Sequence, residues 1–240
     1  MDRRVGTSGY QYRHWRERFY PKEIPQRRWL AYYAEQFNAV EINATFYRLP
    51  DPEKLAAWRD QVATDFRFAL KFSRYGSHIK RLRDPEASIG PFRDVVEAMG
   101  PQLGVVLLQL PPKWRAQPER LDQFLATAPD WPWAVELRDP DWFRDEVFDC
   151  LARHNAALCL TDAMPQEHWH VTADWTYLRF HGSDHTDPMG EDRMTRWSQW
   201  LTDHVPHNGS AWIFLNNDGN AQAPADARRL HGLLAATGNG

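Results

Sequence analysis

LGVVLLQLPPKWRAQPERLDQFLATAPDWPWAVELR, residues 103–138, carries one complete structural unit. GVVLLQL (104–110) is a short apolar run between Gly and Pro, the pattern of a buried strand. PERLDQFLATA (118–128) places Leu121, Phe124 and Leu125 at three- and four-residue spacings behind a proline, the pattern of a helix with one apolar face. WAVELR (133–138) is strand-like again. Strand, helix and strand in that order predict a parallel crossover.

The alternation extends in both directions. Strand-like runs recur as RRVGT (3–7), AVEIN (39–43), RFALK (67–71), ALCLT (157–161), TYLRFH (176–181) and AWIFLNN (211–217). Helical patterns lie between them at 26–37, 52–62, 89–99, 145–154, 191–201 and 225–236, whereas 162–175, DAMPQEHWHVTADW, reads as a loop. Eight strands with helices between most of them predict one closed (β/α)8 TIM-type parallel barrel spanning 1–240. A doubly wound open sheet would carry G-x-G-x-x-G after its first strand. The turn here is Gly6-Thr7-Ser8-Gly9, which lacks that spacing.

Alternation along each strand then sorts side chains between the helix layer and the barrel interior. Val40 and Ile42 share a face, so Glu41 and Asn43 point inward. By the same logic Lys71 points inward from RFALK, Glu136 and Arg138 from WAVELR, and Tyr177, Arg179 and His181 from TYLRFH. Gln109 closes the fourth strand, Thr7 and Ser8 the first, and Asn216 and Asn217 the eighth. Polar residues thus collect at strand C-terminal ends, where barrel enzymes place their chemistry. Burying such charges costs several kcal/mol per ion unless they pair, so the expectation is a ligand site, with a self-neutralising ion network as the bland alternative.

Composition removes other classes. No apolar run is long enough to span a bilayer, and MDRRVGTSGY lacks the apolar core of a signal peptide. The two cysteines, Cys150 and Cys159, make no disulfide framework and read as core thiols, which points to a cytoplasmic protein. Net charge is only -3, but residues 67–83 hold six basic side chains and no acid, while 122–149 hold eight acids against Arg138 and Arg144. Only five of the 29 basic residues are lysine, and the arginine fork suits carboxylate or phosphate.

The segments GTSGYQYRHWRERFYP, FNAVEINATFYRLP, FRFALKFSRYGSHIKRLRD, LGVVLLQLPPKW, WAVELRDPDWF, YLRFHG and FLNND occur in this order. Together they resemble the YecE-like proteins, the domain-of-unknown-function family seventy-two, from about Val5 to about Leu234. The resemblance implies a TIM-type barrel and no established activity. The family has an aromatic, often Trp, after GTSG; here it is Tyr10.

Reaction classes follow from the inward set. A two-carboxylate glycosidase is disfavoured, because strands four and seven end in Gln109, Arg179 and His181. A metal-dependent phosphodiesterase of the endonuclease IV type is one alternative. Glu41, Glu136, Asp162 and His181 imitate part of its ligand set, HGSDHTD (181–187) adds density, and His168 and His170 form an H-x-H. Lys71, Arg138 and Arg179 would compete for that space, so no cofactor or metal is predicted, and a divalent metal is kept as the alternative. The favoured reading is an enzyme, a hydrolase first, acting on a small anionic, phosphorylated or sugar-like substrate. Arg138 and Arg179 would clamp the anion, with Thr7, Ser8, Asn43, Gln109, Tyr177, Asn216 and Asn217 around it. Glu41, Glu136, Lys71 and His181 would carry acid–base or nucleophilic chemistry. A non-catalytic metabolite or nucleic-acid binder is the remaining alternative, since Arg74, Lys80, Arg81 and Arg83 interleave with Tyr75 and His78. No membrane partner is expected, and the sequence leaves the oligomeric state open.

Overall fold

The apolar runs become strands β1 (Asp2–Thr7), β2 (Ala39–Ile42), β3 (Arg67–Lys71), β4 (Leu103–Gln109), β5 (Trp133–Glu136), β6 (Ala157–Thr161), β7 (Thr176–Phe180) and β8 (Ser210–Leu215). These lie among the described residues, 1–182 and 188–237, of the computed structural model. All neighbours are parallel, in the order β1-β8-β7-β6-β5-β4-β3-β2, so the sheet curls until its two edges, β1 and β2, meet. No helix among the described residues is long and apolar enough to cross a membrane.

Helices α1 (Trp29–Ala34), α2 (Ala44–Tyr47), α3 (Pro52–Arg59), α4 (Pro85–Met99), α5 (Pro118–Thr127), α6 (Asp145–Arg153), α7 (Glu191–His204) and α8 (Gln222–Thr237) form the crossovers and the final segment. The short α2 is not among the predicted helices, the ends of several others shift by about a turn, and two of the shifts have a visible cause. The helix predicted over 26–37 is α-helical only at Trp29–Ala34, behind a 3-10 turn at Gln26–Arg28. The helix predicted from 89 begins at Pro85 and continues through Pro91, which lies on its exposed side, where water can satisfy the carbonyl that the proline leaves unpaired.

Between β6 and β7 the loop read from 162–175 holds only a 3-10 turn, Gln166–His168, and aromatic stacking replaces helix packing. Trp169 stacks on Trp197 of α7 with ring centres 3.8 Å apart, and His170 stacks on Phe148 of α6 at 4.2 Å. His168 stacks on Phe143 at 4.8 Å. The H-x-H pair therefore packs on separate rings of the outer layer.

The seam between β1 and β2 is closed largely by side chains. Asn38 accepts from the Val5 amide at 2.9 Å and donates to the Arg3 carbonyl at 2.8 Å, taking the place of a strand residue. The Tyr33 hydroxyl accepts from the Thr7 amide at 2.8 Å and donates to the Ala39 carbonyl at 3.1 Å. Backbone pairing appears only at the top, as a Ser8–Glu41 bridge and a 2.8 Å bond from the Gly9 amide to the Glu41 carbonyl. Gly6 permits this approach, since a Cβ there would collide with the Ala39 carbonyl oxygen.

Apolar residues of one strand parity pack under the helices, with Val5, Val40, Ile42, Phe68, Leu70, Val135, Leu178 and Ile213 among them. The opposite parity fills the barrel: Ala39, Ala69, Ala134 and Ala157 face the bulky Tyr177, Trp212 and Phe214. Small residues on one side thus make room for large ones on the other. This apolar plug forces the charged residues of the same parity into a layer above it.

Candidate active site at the barrel mouth

Arg179 stands at the centre of the charged layer, 2% exposed, with Glu41 (0%) and Glu136 (1%) on either side. Its Nη1 donates to Glu136 Oε2 at 2.7 Å and its Nη2 to Glu41 Oε1 at 2.9 Å. One guanidinium from β7 therefore ties together the ends of β2 and β5. Tyr177, two residues earlier on the same face, donates its hydroxyl to Glu41 Oε2 at 2.6 Å. The Asn43 amide reaches Glu41 Oε1 at 3.0 Å, and Gln109 reaches Glu136 Oε2 at 3.1 Å. Arg138, whose side chain is 39% exposed, pairs with Glu136 Oε1.

These contacts hold both carboxylates ionised. Burial alone would raise the Glu41 pKa, but the Arg179 charge and the hydrogen bond from Tyr177 reverse that and lower it. Burial likewise opposes ionisation of Glu136, yet the charges of Arg179 and Arg138 bring it down to about 2. Neither is a strong base near neutral pH. Arg179, gripped by two carboxylates, is not the open anion clamp that the sequence predicts.

Lys71 is different. It is 8% exposed, its Nζ sits 4.3 Å from the centre of the Phe46 ring, and among the described residues no carboxylate lies within 4.0 Å of it. Burial and the Arg179 charge lower its pKa to about 8, although Glu41 and Glu136 pull the other way. His78, in the π-helical turn Tyr75–Ile79, packs edge-on to Phe46 at 4.9 Å and accepts from or donates to the Ser77 hydroxyl at 3.0 Å. Burial, with the Lys71 and Arg74 charges, lowers its pKa to about 4, so it is neutral at pH 7.

Other expected residues fall where alternation puts them. His181 follows β7 at the same end, its amide bonded to Asp162 Oδ1 at 2.9 Å and its ring Nδ1 3.6 Å from that oxygen. Asn216 continues the inward parity of Phe214, and Ser8 pairs across the seam with Glu41. Thr7 and Asn217 are corrections. The Thr7 hydroxyl turns outward to the Gly9 carbonyl and the Tyr33 hydroxyl, and Asn217 donates to Asp226 of α8 at 2.7 Å. Both share the parity of outward apolar neighbours, Val5 and Leu215, so neither faces the mouth. Residues 183–187 of the HGSDHTD run lie outside the described residues. Among the described residues, no group of three metal-ligating side chains gathers at the mouth.

Asp218, which follows the eighth strand, and Trp15 meet in a contact that the sequence does not show. The Trp15 indole donates to Asp218 Oδ1 at 2.6 Å, and His14 Nε2 lies 3.3 Å from the same oxygen, joining the β1 and β8 loops. Beside them the Tyr12 hydroxyl donates to the Ser8 carbonyl at 2.6 Å. Burial raises the Asp218 pKa despite these partners. GTSGYQYRHW offers only its aromatic density as a signal, because the contact to Asp218 spans the whole chain.

Comparison with known proteins agrees with this architecture. Residues 4–240 match the family described as "Protein of unknown function DUF72". The chain is 30% identical over 227 residues to the UPF0759 protein YecE of Escherichia coli K12, and equally to that of strain O157:H7, covering 80% of each chain. The crystal structure of a DUF72 family protein of Thermotoga maritima superposes with a TM-score of 0.86 at 24% identity, covering 98% of this chain and 100% of that one. One from Enterococcus faecalis gives 0.77 at 17% identity, covering 97% and 95%. At such identities the structures speak for the fold.

Proposed function

The chain belongs to the DUF72 family, and from that premise and the charged mouth of its barrel we propose an enzyme that binds a small anionic substrate against Lys71 and Arg138. The observation that carries this is the Lys71 ammonium, buried with no carboxylate within 4.0 Å among the described residues. Lys71, Arg138 and Arg179 against Glu41 and Glu136 leave one excess positive charge, because the Asp162 carboxylate at the same end is engaged by the His181 and Gly182 amides and by Arg193, and such a pocket recruits an anion. Arg179 and the two glutamates form the frame. Arg138, half in solvent, offers its remaining donors to a phosphate or carboxylate.

Lys71 is then the reacting group. With a pKa of about 8 it is mostly protonated at pH 7 yet yields a usable fraction of free amine, which suits a proton donor and acceptor beside the bound anion. Glu41 and Glu136, held ionised, keep that charge balance and do not themselves move protons. Phosphorylated and carboxylated small molecules form the substrate class, with hydrolysis the first reaction to screen.

Titration of inorganic phosphate by calorimetry at low salt tests the reading. Saturable binding is expected, weakening as pH rises through about 8, where Lys71 loses its proton. Lys71→Met should abolish it. Phosphate binding that is absent, or unchanged in Lys71→Met, sinks the proposal.

A second reading rests on the ground beside the mouth. Tyr47 is 78% exposed and Tyr75 45%, and with Arg48 and Arg74 they line a cavity of about 530 Å³. Exposed rings beside arginines suit single-stranded nucleic acid, whose binding would fall steeply with salt.

A further inference from the structure

Asp122, Cys150 and His154 come together on the outer helix layer, remote from the chemistry proposed above. Asp122 projects from α5; Cys150 lies on α6 and His154 just past its end, four residues on and therefore on the same helical face. One carboxylate oxygen, Asp122 Oδ1, is the focus. His154 Nε2 lies 2.9 Å from it, Cys150 Sγ 3.7 Å, and Arg153 Nη2 2.9 Å. The three ligand-type atoms, one oxygen, one sulfur and one nitrogen, lie within 4.8 Å of one another.

Metal bonds of about 2.0–2.3 Å set tetrahedron edges of about 3.3–3.8 Å; the 3.7 Å between Cys150 Sγ and Asp122 Oδ1 already lies there, and the 2.9 Å between His154 and Asp122 has to open by a few tenths of an ångström. The donor set is selective. An incoming ion would displace to solvent the proton that the Cys150 thiol donates to Asp122, and the resulting thiolate with imidazole favours borderline divalent ions over magnesium or calcium, which take all-oxygen shells. The adjoining cavity, about 540 Å³, is lined by Glu119, Glu146, Asp149 and Arg153 in addition to Asp122 and Cys150, while His154 borders a separate cavity on its other side. The carboxylates concentrate cations there. Among the described residues Arg153 competes for Asp122, and with its side chain 59% exposed it can swing into solvent.

We propose that Asp122, Cys150 and His154 form a binding site for a zinc-class divalent cation, which pins α6 to α5. The sequence reads Cys150 as a core thiol, and indeed its side chain is buried; what turns it into a ligand is the partner that α5 brings from 28 residues away. The proposal is independent of the anion site at the mouth.

Chelator-stripped protein titrated with Zn²⁺ by calorimetry, and with Co²⁺ as a spectroscopic probe, tests it. One equivalent should bind, Co²⁺ should show a near-ultraviolet thiolate charge-transfer band, and bound Zn²⁺ should slow alkylation of Cys150 and raise the melting temperature. Cys150→Ser should remove the band, and His154→Gln should keep it while weakening Zn²⁺ by at least about tenfold. His154 is partly exposed, so that variant serves even if Cys150→Ser folds poorly. Failure of saturable uptake, a Co²⁺ complex without the thiolate band, or Zn²⁺ binding unchanged in both variants overturns the site and leaves a hydrogen-bonded clamp between two helices.

Discussion

A methionine in place of Lys71 would keep a flexible side chain against Phe46 and remove a charge that the folded protein holds at a cost. The direction follows from linkage. The Lys71 pKa falls from 10.5 unfolded to about 8 folded, so the penalty is complete below about pH 8 and disappears as pH rises toward 10.5. Lys71→Met should therefore stabilise the ligand-free protein at pH 7 by about 2–3 kcal/mol, measured by urea unfolding, while losing phosphate binding. The gain should shrink to nothing near pH 10.5. A destabilised variant would mean that Lys71 has a compensating partner in solution. The same residue scale shows what strand alternation can and cannot reveal. It places Glu41, Lys71, Glu136 and Arg179 correctly, because apolar neighbours on both sides define the parity. The phase of Val5 and Leu215, extended by two residues, also turns Thr7 and Asn217 outward. Alternation says nothing about who pairs with whom, so that Arg179 bridges two glutamates while Lys71 has neither was not legible.

At the scale of elements, the β1–β2 seam is the joint most exposed to single substitutions. Tyr33→Phe and Asn38→Ala each leave buried backbone groups without their side-chain partner, a loss of about 1–3 kcal/mol. Hydrogen exchange should locate it: the Thr7 amide should speed up in Tyr33→Phe, and the Val5 amide in Asn38→Ala, while β4 and β5 stay protected. Uniform loosening of the whole sheet would contradict a side-chain-closed seam. The strands and most helices were legible because each carries its own period. The seam was not, since Tyr33 reads as one more apolar face residue of α1 and Asn38 as an ordinary turn residue. The loop at 162–175 was legible as a loop, but the stacking that lets it stand in for a helix depends on Trp197 and Phe148, which lie elsewhere in the chain.

For the whole molecule, acid should be more damaging than the modest net charge suggests. Glu136 carries a pKa of about 2 in the fold against 4.5 unfolded, so its contribution is complete above about pH 4.5 and is lost as pH falls toward 2. That single group accounts for about 3 kcal/mol, and Glu41 adds in the same direction. Glu136→Gln should be less stable at pH 7, yet converge on the parent protein as pH approaches 2 in a denaturation series. Parallel pH curves would place the acid sensitivity elsewhere.

The pairing of β1 with β8 sets a timetable for biosynthesis. On a ribosome adding about 5–20 residues per second, roughly 10–40 seconds separate the two strands. During that wait the first strand is held by the seam to β2, made by side chains and closed at its top by the Ser8–Glu41 bridge, and its other edge is bare. Its sequence suits a long vigil: DRRVGT has one large apolar residue, and Asp2, Arg3 and Arg4 give its edge the charges that discourage a neighbouring nascent chain from zipping onto it. A barrel that pairs its first strand with its last cannot close until β8 has been made, and until then those charges stand on an unpaired edge.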